Sequence, residues 1–261
     1  MAAPLAAFRL NLTCAVVLWT MTLASSGFAR PLPMMAHIGG GQPDAPLQNL
    51  APKTDSPPIG RYETDEGGIF ILDRSKSEPL LKFEDSPEIW VLQPAPGPRG
   101  DVIYRNDLGE VMLRVTNMGG MTVFTDKRPG GSPAALDGTS PPLRIPPLSP
   151  TGLFNRFYQA SIRASRVAQH QVGFVTREDA EPATAAYIAD AAQVASEALV
   201  DMAGAPNGKS RLARIIGVVI AQGGKPNATM QRGVLTVTIV PAQGVFGRPS
   251  SRKIERAAGA R

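Results

Sequence analysis

Cysteine is nearly missing: Cys14 is the only one in 261 residues, and it lies in an apolar N-terminal stretch. A chain that loses that stretch has no disulfide, no thiol nucleophile and no Cys-ligated zinc. Histidine is almost as scarce, with only His37 and His170. There is no Gly-x-Ser-x-Gly elbow and no His-Glu-x-x-His pair, so the common serine-hydrolase and zinc-protease signatures are excluded. Charge of one sign is missing from the body. Residues 30 to 247 hold 21 basic and 21 acidic residues, which leaves no basic face for nucleic acid. The high pI comes from residues 248 to 261, with five basic residues and one acid.

What is present begins with MAAPLAAFRLNLTCAVVLWTMTLASSGFAR, where Arg9 precedes an uncharged run that ends at Arg30. The run reads as an export signal over residues 1–29, with Gly27-Phe28-Ala29 offering small residues for cleavage after Ala29. The alternative is a retained membrane anchor, since Leu10 to Ala29 is just long enough to span a bilayer. Cys14 has neither the small-residue context nor the preceding apolar run of a lipoprotein signal. Export without disulfides fits a Gram-negative periplasm, or secretion beyond it.

Proline sets the further divisions, because it cannot donate to a strand ladder or sit inside a helix. Of the 25 prolines, seven fall in residues 31 to 58 and seven in residues 129 to 150. We expect a disordered linker over 30–58 and a Pro/Gly-rich linker over 126–152. Between them, GRYET, GIFILD, LLKFE, EIWVLQ, DVIYR, VMLRVT and MTVFT alternate with turn clusters, the pattern of an antiparallel β meander over 59–125. In Asn106-Asp107-Leu108-Gly109, glycine supplies the left-handed position of a bulged hairpin.

The period then becomes helical over an expected ααββ segment, 153–247. FNRFYQASIRASRVAQHQVGF places Phe154, Phe157, Tyr158 and Ile162 on one stripe and Arg156, Arg163 and Arg166 largely off it. A second helix starts after Pro182 and faces Ile188, Ala191, Ala195, Leu199 and Met202 inward, with alanine enough for close helix packing. LARIIGVVIAQ and GVLTVTIV read as a terminal strand pair, the latter alternating Leu235, Val237 and Ile239 with Thr236 and Thr238. The fold class is therefore α+β: an antiparallel meander, two helices and two strands. Residues 248–261 read as a basic tail in which Arg248-Pro249-Ser250-Ser251 turns out of the fold, after which Arg252, Lys253, Arg256 and Arg261 spread into solvent.

AGAPNGKS, residues 203–210, imitates a phosphate loop, but such a loop follows a strand and opens a helix so that backbone amides converge on the phosphates. Here it follows a helix, with Gly204 placed as a C-cap, and precedes a strand, so no nucleotide is expected. Arg99-Gly100-Asp101 spells a cell-adhesion tripeptide, but three residues recur by chance and these sit in a Pro/Gly turn with local backbone reasons to be there. Asn227-Ala228-Thr229 is a glycosylation sequon only where the machinery exists. His170, at a helix end, reads as a helix-end cation rather than a catalytic base.

One constellation remains. In an up-and-down meander alternate turns share a rim, which gathers Asp65, Glu66, Glu84, Asp85, Glu88, Asp107 and Glu110 at one end. The opposite rim collects Arg74, Lys76 and Arg99. Converging carboxylates can bind a hard cation such as calcium or supply the acid and base of a glycan hydrolase; acidic residues also occupy exposed turns for backbone reasons.

The runs RYETDEGGIFILDRS, LLKFEDSPEIWVL, GPRGDVIYRNDLGEVMLR, GGMTVF and GVLTVTIVPAQGVFGRPSS resemble an exported family of Gram-negative bacteria catalogued only as a domain of unknown function. The resemblance runs from about Arg61 to Ser251. It implies bacterial export and a chain whose two halves travel together, and it carries no activity or site residue across. Together these readings point to a cell-envelope protein of the periplasm with a non-catalytic binding or structural role and no cofactor. Its expected partner is an envelope protein or an anionic polymer, with weak contact to anionic surfaces through the tail. A carboxylate-dependent periplasmic glycan hydrolase is the alternative.

Overall fold

The computed structural model describes residues 57–178 and 180–259. The leader or anchor at residues 1–29 and the linker up to residue 56 lie outside them. Among the described residues no helix is long and apolar enough to cross a membrane. All described residues fall within one compact unit, residues 50–261.

The first half is the expected meander, in more strands and closed on itself. It comprises β1 (Gly60–Thr64), β2 (Ile69–Asp73), β3 (Leu80–Phe83), β4 (Ile89–Val91), β5 (Gln93–Pro96), β6 (Val102–Arg105), β7 (Val111–Val115), β8 (Met121–Thr125) and β9 (Arg128–Gly138). The strand order is β4-β3-β2-β1-β9-β8-β7-β6-β5, antiparallel at every pairing. The two edge strands, β4 and β5, are separated in the chain by Leu92 alone. The run from Ile89 to Pro96 therefore pairs first with β3 and then with β6 and joins both edges. With that run taken as one strand, the sheet is an up-and-down barrel of about eight strands, a size whose interior is filled by side chains or holds one small ligand.

Strand alternation fills that interior. Tyr62, Phe70, Leu72, Leu81, Trp90, Leu92, Tyr104, Leu113, Val115, Met121 and Val123 form one cluster, while Arg61, Glu63 and Lys82 point the other way. Tyr62 and Phe70 stack with ring centroids 5.3 Å apart. Fully burying a side chain such as Phe70 or Leu72 contributes about 1.5–3 kcal/mol.

The expected linker over 126–152 is corrected by β9, an 11-residue strand lying between β1 and β8. Its prolines survive because they precede the residues that pair with β1. Pro133 is in register with β8 only, its carbonyl accepts from Asp65 N–H (3.2 Å) just past the end of β1, and β1 pairing begins at Ala134, so no β1 strand residue requires the missing N–H. Only residues 139–149 lack regular structure here, and there Leu143 donates its N–H to Asp73 (2.7 Å).

The second half contains α1 (Pro150–Ala168), β10 (Gly173–Thr176), α2 (Pro182–Gly204), α3 (Gly208–Leu212), β11 (Gly217–Gln222), β12 (Asn227–Gln231), β13 (Val234–Ile239), a 3-10 turn over Pro241–Gly247, and α4 (Ser251–Ala257). The expected strand pair is half of a four-stranded sheet, order β10-β11-β13-β12, in which β10, β11 and β13 run parallel. The inward stripe of α2 holds: Ile188, Ala191, Ala195, Leu199 and Met202 are all fully buried, as are Leu235 and Val237.

The stripe expected on α1 holds only in part: Phe157 is half-buried against the core and Ile162 is half-buried, but the other two rings are not. Phe154 is 70% and Tyr158 56% exposed, and the buried face is Leu153, Ala160, Ala164 and Ala168. Small residues on both helices allow the close approach, and rings at that seam would prevent it. The arginines turn toward α2 instead, Arg156 donating to Gln193 (3.2 Å) and Arg163 pairing with Glu197.

AGAPNGKS closes α2, turns and opens α3, so strand-before-helix order is absent. Gly204 is the last residue of α2 rather than a left-handed cap, and the left-handed residue is Asn207 (φ 60°). Gly208 is required because a Cβ there would lie 1.9 Å from the Met202 carbonyl oxygen.

The two halves meet where the outer face of β3 and β4 (Leu80, Ile89, Val91) packs on Val245 and Phe246 of the 3-10 turn and on Leu143 and Ile145. This explains why β3 begins with two leucines: Leu81 faces the barrel interior and Leu80 faces this seam.

Candidate functional site: a cleft at the acidic end of the barrel

The turns β1–β2, β3–β4, β6–β7 and β8–β9 fall at one end of the barrel by strand alternation, as the meander requires. A cleft of about 1170 Å³ opens there. Its floor and walls include Phe70, Phe83, Trp90, Met112, Val123 and Phe124, and its mouth carries Glu66, Glu84, Asp85, Glu110, Asp126, Lys127, Arg128 and Arg252. Phe70, Trp90 and Val123 are buried and belong to the barrel's apolar cluster, so the cleft is continuous with the interior.

Of the rim carboxylates expected from sequence, Glu66, Glu84, Asp85 and Glu110 line the cleft, whereas Asp65, Glu88 and Asp107 do not. The mouth is not a bare acidic ring. Glu66 pairs with Arg128, Asp85 with Lys127 (3.6 Å), Asp126 with Arg252, and Glu110 with Arg256 (3.7 Å). The side chains of Asp85 and Asp126 are 76% and 75% exposed. Among the described residues no three histidine, cysteine or acidic side chains are grouped to hold a metal ion.

Asp107 does a different task. Its carboxylate accepts from the Ser250 backbone N–H (3.1 Å) and from the Ser250 hydroxyl (2.5 Å). The hairpin that holds it is built by Asn106, whose Oδ1 accepts from Leu108 and Glu110 N–H, with Gly109 at φ +80° as expected.

The basic tail is corrected outright. Arg248 is 8% exposed, and α4 runs from Ser251 to Ala257 with Ile254 in the core. Arg248 pairs with Asp190 of α2 and Glu88 of the β3–β4 turn (3.4 Å) and donates to the Ile89 carbonyl (2.9 Å). Ser251 N–H donates to Glu88 (3.0 Å) and Lys253 to the Pro226 carbonyl (3.4 Å). The segment folds because acids placed on the barrel and α2 await its cations and caps, and Ile254 supplies the apolar anchor. Arg252 and Arg256 are thereby delivered to the cleft mouth instead of to solvent. Arg261 lies outside the described residues.

Two carboxyls near this junction are strongly shifted. Burial pushes Glu88 up to about 7 against the opposing pull of Arg248 and the Ser251 bonds. Burial also pushes Glu255 up to about 7, with Arg252 opposing and Asp201 reinforcing. Glu255 Oε1 is buried and has no hydrogen-bond partner, and Oε2 stands 3.6 Å from Arg252. Neither carboxyl lines the cleft.

The opposite rim carries Arg74, Lys76 and Arg99. Arg74 donates to the Pro57 carbonyl (3.0 Å), and Arg99 sits at φ 59° in a 3-10 turn. The neighbouring Asp101 is spent on Arg114 and on Asn117 N–H (3.2 Å), which leaves no exposed adhesion tripeptide. Each ring nitrogen of His170 faces a carbonyl, Ala168 at 2.9 Å and Ile215 at 2.8 Å, tying the end of α1 to the strand side.

Sequence reasoning missed Asp126, Lys127, Arg128 and Arg252 as mouth residues. The signal was available in part: a seventh strand ending at Thr125 puts its following turn on the acidic rim, provided the next segment is recognised as a strand. Over residues 44–258 the chain matches the family described as Domain of unknown function (DUF4908), and it belongs to that family. No curated protein and no solved structure matches it.

Proposed function

We propose that this member of a family without an assigned activity is a non-catalytic binding protein of the bacterial cell envelope, exported to the periplasm, which holds a ligand in the barrel cleft. Support for export is the leader pattern of residues 1–29 and the absence of cysteine beyond it. The observation that carries the binding reading is the cleft itself, about 1170 Å³ with an apolar wall and a charged mouth. That volume lies just above the roughly 300–1,000 Å³ typical of small-molecule sites.

The hydrolase alternative needs a carboxylic acid kept protonated by burial beside the groove and a second carboxyl facing it. The cleft's own carboxylates project into solvent from separate turns. The three carboxyls that burial raises, Glu88, Asp201 and Glu255, lie outside the cleft lining, with Glu88 engaged by Arg248 and Ser251 and Glu255 by Arg252. These placements favour binding over cleavage.

The test is native mass spectrometry on the chain isolated gently from envelope extract. A bound small molecule is expected, lost in Thr125→Phe, which narrows the cleft wall. A single ligand-free mass, or sugar release from cell-wall sacculi that depends on Glu84 or Asp85, would reject the proposal.

A further inference from the structure

Resting on that binding reading, we infer that the cleft takes a single-chain amphiphile with a carboxylate or phosphate head, the chain lying along Phe70, Phe83 and Trp90 and the head on Arg252. The polarity of the lining is divided along its depth. Its buried members are Phe70, Trp90, Val123 and Ser132, so the floor offers one hydroxyl, whereas every charged lining residue except Arg114 stands at the mouth or on α4. A glycan needs hydrogen-bonding groups along its whole length. A molecule with one apolar body and one polar end needs them only at the rim.

The sign of the head follows from which ion-pair partner can leave. Arg252 sits on α4, which is anchored by Ser250 on Asp107, by Ser251 on Glu88 and by Ile254 in the core. Its side chain is 31% exposed, its guanidinium lies between Asp126 and Glu255, and the Asp126 side chain is 75% exposed on a turn. Exposed ion pairs contribute little, so Asp126 can swing into water and surrender the guanidinium to another anion. Carboxylate and phosphate both match the planar fork of arginine. Lys127 and Arg128, paired with the exposed Asp85 and Glu66, flank the same opening and reinforce the preference. A cationic head would compete instead at Glu84, the mouth carboxylate with no ion-pair partner among the described residues, which is exposed and lies on a turn rather than on the anchored helix.

Beyond the leader, Trp90 is the only tryptophan, since the other is Trp19. Its emission therefore reports on the cleft floor in a chain starting at Arg30. That chain is titrated with laurate, with dodecyltrimethylammonium and with chitotetraose. Laurate is expected to shift Trp90 emission saturably, and Arg252→Gln to weaken it about tenfold, as for loss of a charged hydrogen bond, with Thr125→Phe weakening both amphiphiles. Equal affinity for the two amphiphiles, or an unchanged laurate affinity in Arg252→Gln, overturns the anionic head and leaves cleft binding standing. Binding of chitotetraose alone overturns the amphiphile and also leaves cleft binding standing. No response to any of the three, joined to a ligand-free native mass, removes both.

Discussion

Arg248 shows how much one residue can join. Its guanidinium lies between Glu88 on the barrel and Asp190 on α2, so two carboxylates share one buried cation. Removing the cation strands both, which typically costs about 3–5 kcal/mol. Arg248→Ala should lower the urea midpoint accordingly; a change below about 1 kcal/mol, the worth of an exposed pair, would show that the network is wetter than its burial implies. Burial of the acids around this junction also gives a pH dependence. Glu88 and Glu255 move from 4.5 up to about 7, so over that window the folded chain binds protons that the unfolded chain has released. Stability from these groups is greatest below about pH 4.5 and is lost as pH rises toward about 7. Melting temperature should therefore fall across that window and flatten above it, and Glu88→Gln should reduce the slope. A melting temperature that rises from pH 4.5 to 7 in wild type would contradict the assigned shifts. Asp73 does not interfere: burial would raise its carboxyl, but N–H donors from Ser75 and Leu143 outweigh this and hold it below its ordinary range.

At the scale of elements, α1 separates what sequence can and cannot reveal. Hydrophobicity picks out its rings, yet the buried seam is alanine, which carries little hydrophobic signal and is chosen for its size. Ala164, fully buried against α2, should not tolerate enlargement: Ala164→Leu is expected to destabilise by about 1–3 kcal/mol through overpacking. Phe154→Ser, on the exposed face, should stay within about 0.5 kcal/mol. Chemical denaturation of the pair tests the facing directly, and a larger loss for Phe154→Ser would restore the aromatic stripe to the core. By contrast α2 and β13 were legible, because each presents a single unbroken stripe at its own period. The strand β9 was illegible for a definite reason: Pro129, Pro133 and three glycines read as punctuation, and only the barrel's geometry shows that a strand whose pairing with β1 begins after Pro133 can accept them. The acidic rim was legible up to Thr125 because turn alternation needs no side-chain detail. The cations that neutralise it were not, since they arrive on β9 and α4, the two elements read as linker and tail.

For the whole molecule, the consequence is that residues 248–259 close the structure instead of hanging from it. They contribute Arg248 to the buried network, Ser250 and Ser251 to Asp107 and Glu88, Ile254 to the core, and Arg252 and Arg256 to acids at the cleft mouth. Cutting after Gly247 removes all of these at once. Losing a fully buried aliphatic side chain typically costs about 2–5 kcal/mol, and stranding Glu88 and Asp190 adds about 3–5 kcal/mol. The sum is comparable to the roughly 5–15 kcal/mol by which whole domains are stable. A chain ending at Gly247 is therefore expected to be unfolded or molten near room temperature, with lost near-ultraviolet dichroism and rapid amide exchange in β3 and β4 as well as in α2. Loss in both places is the discriminating feature, because Arg248 ties the barrel to α2. A truncated chain that melts within a degree of the full one would return these residues to the status of a solvated tail. A chain that loses protection only around α4 and β12 would show instead that the barrel stands without its clasp.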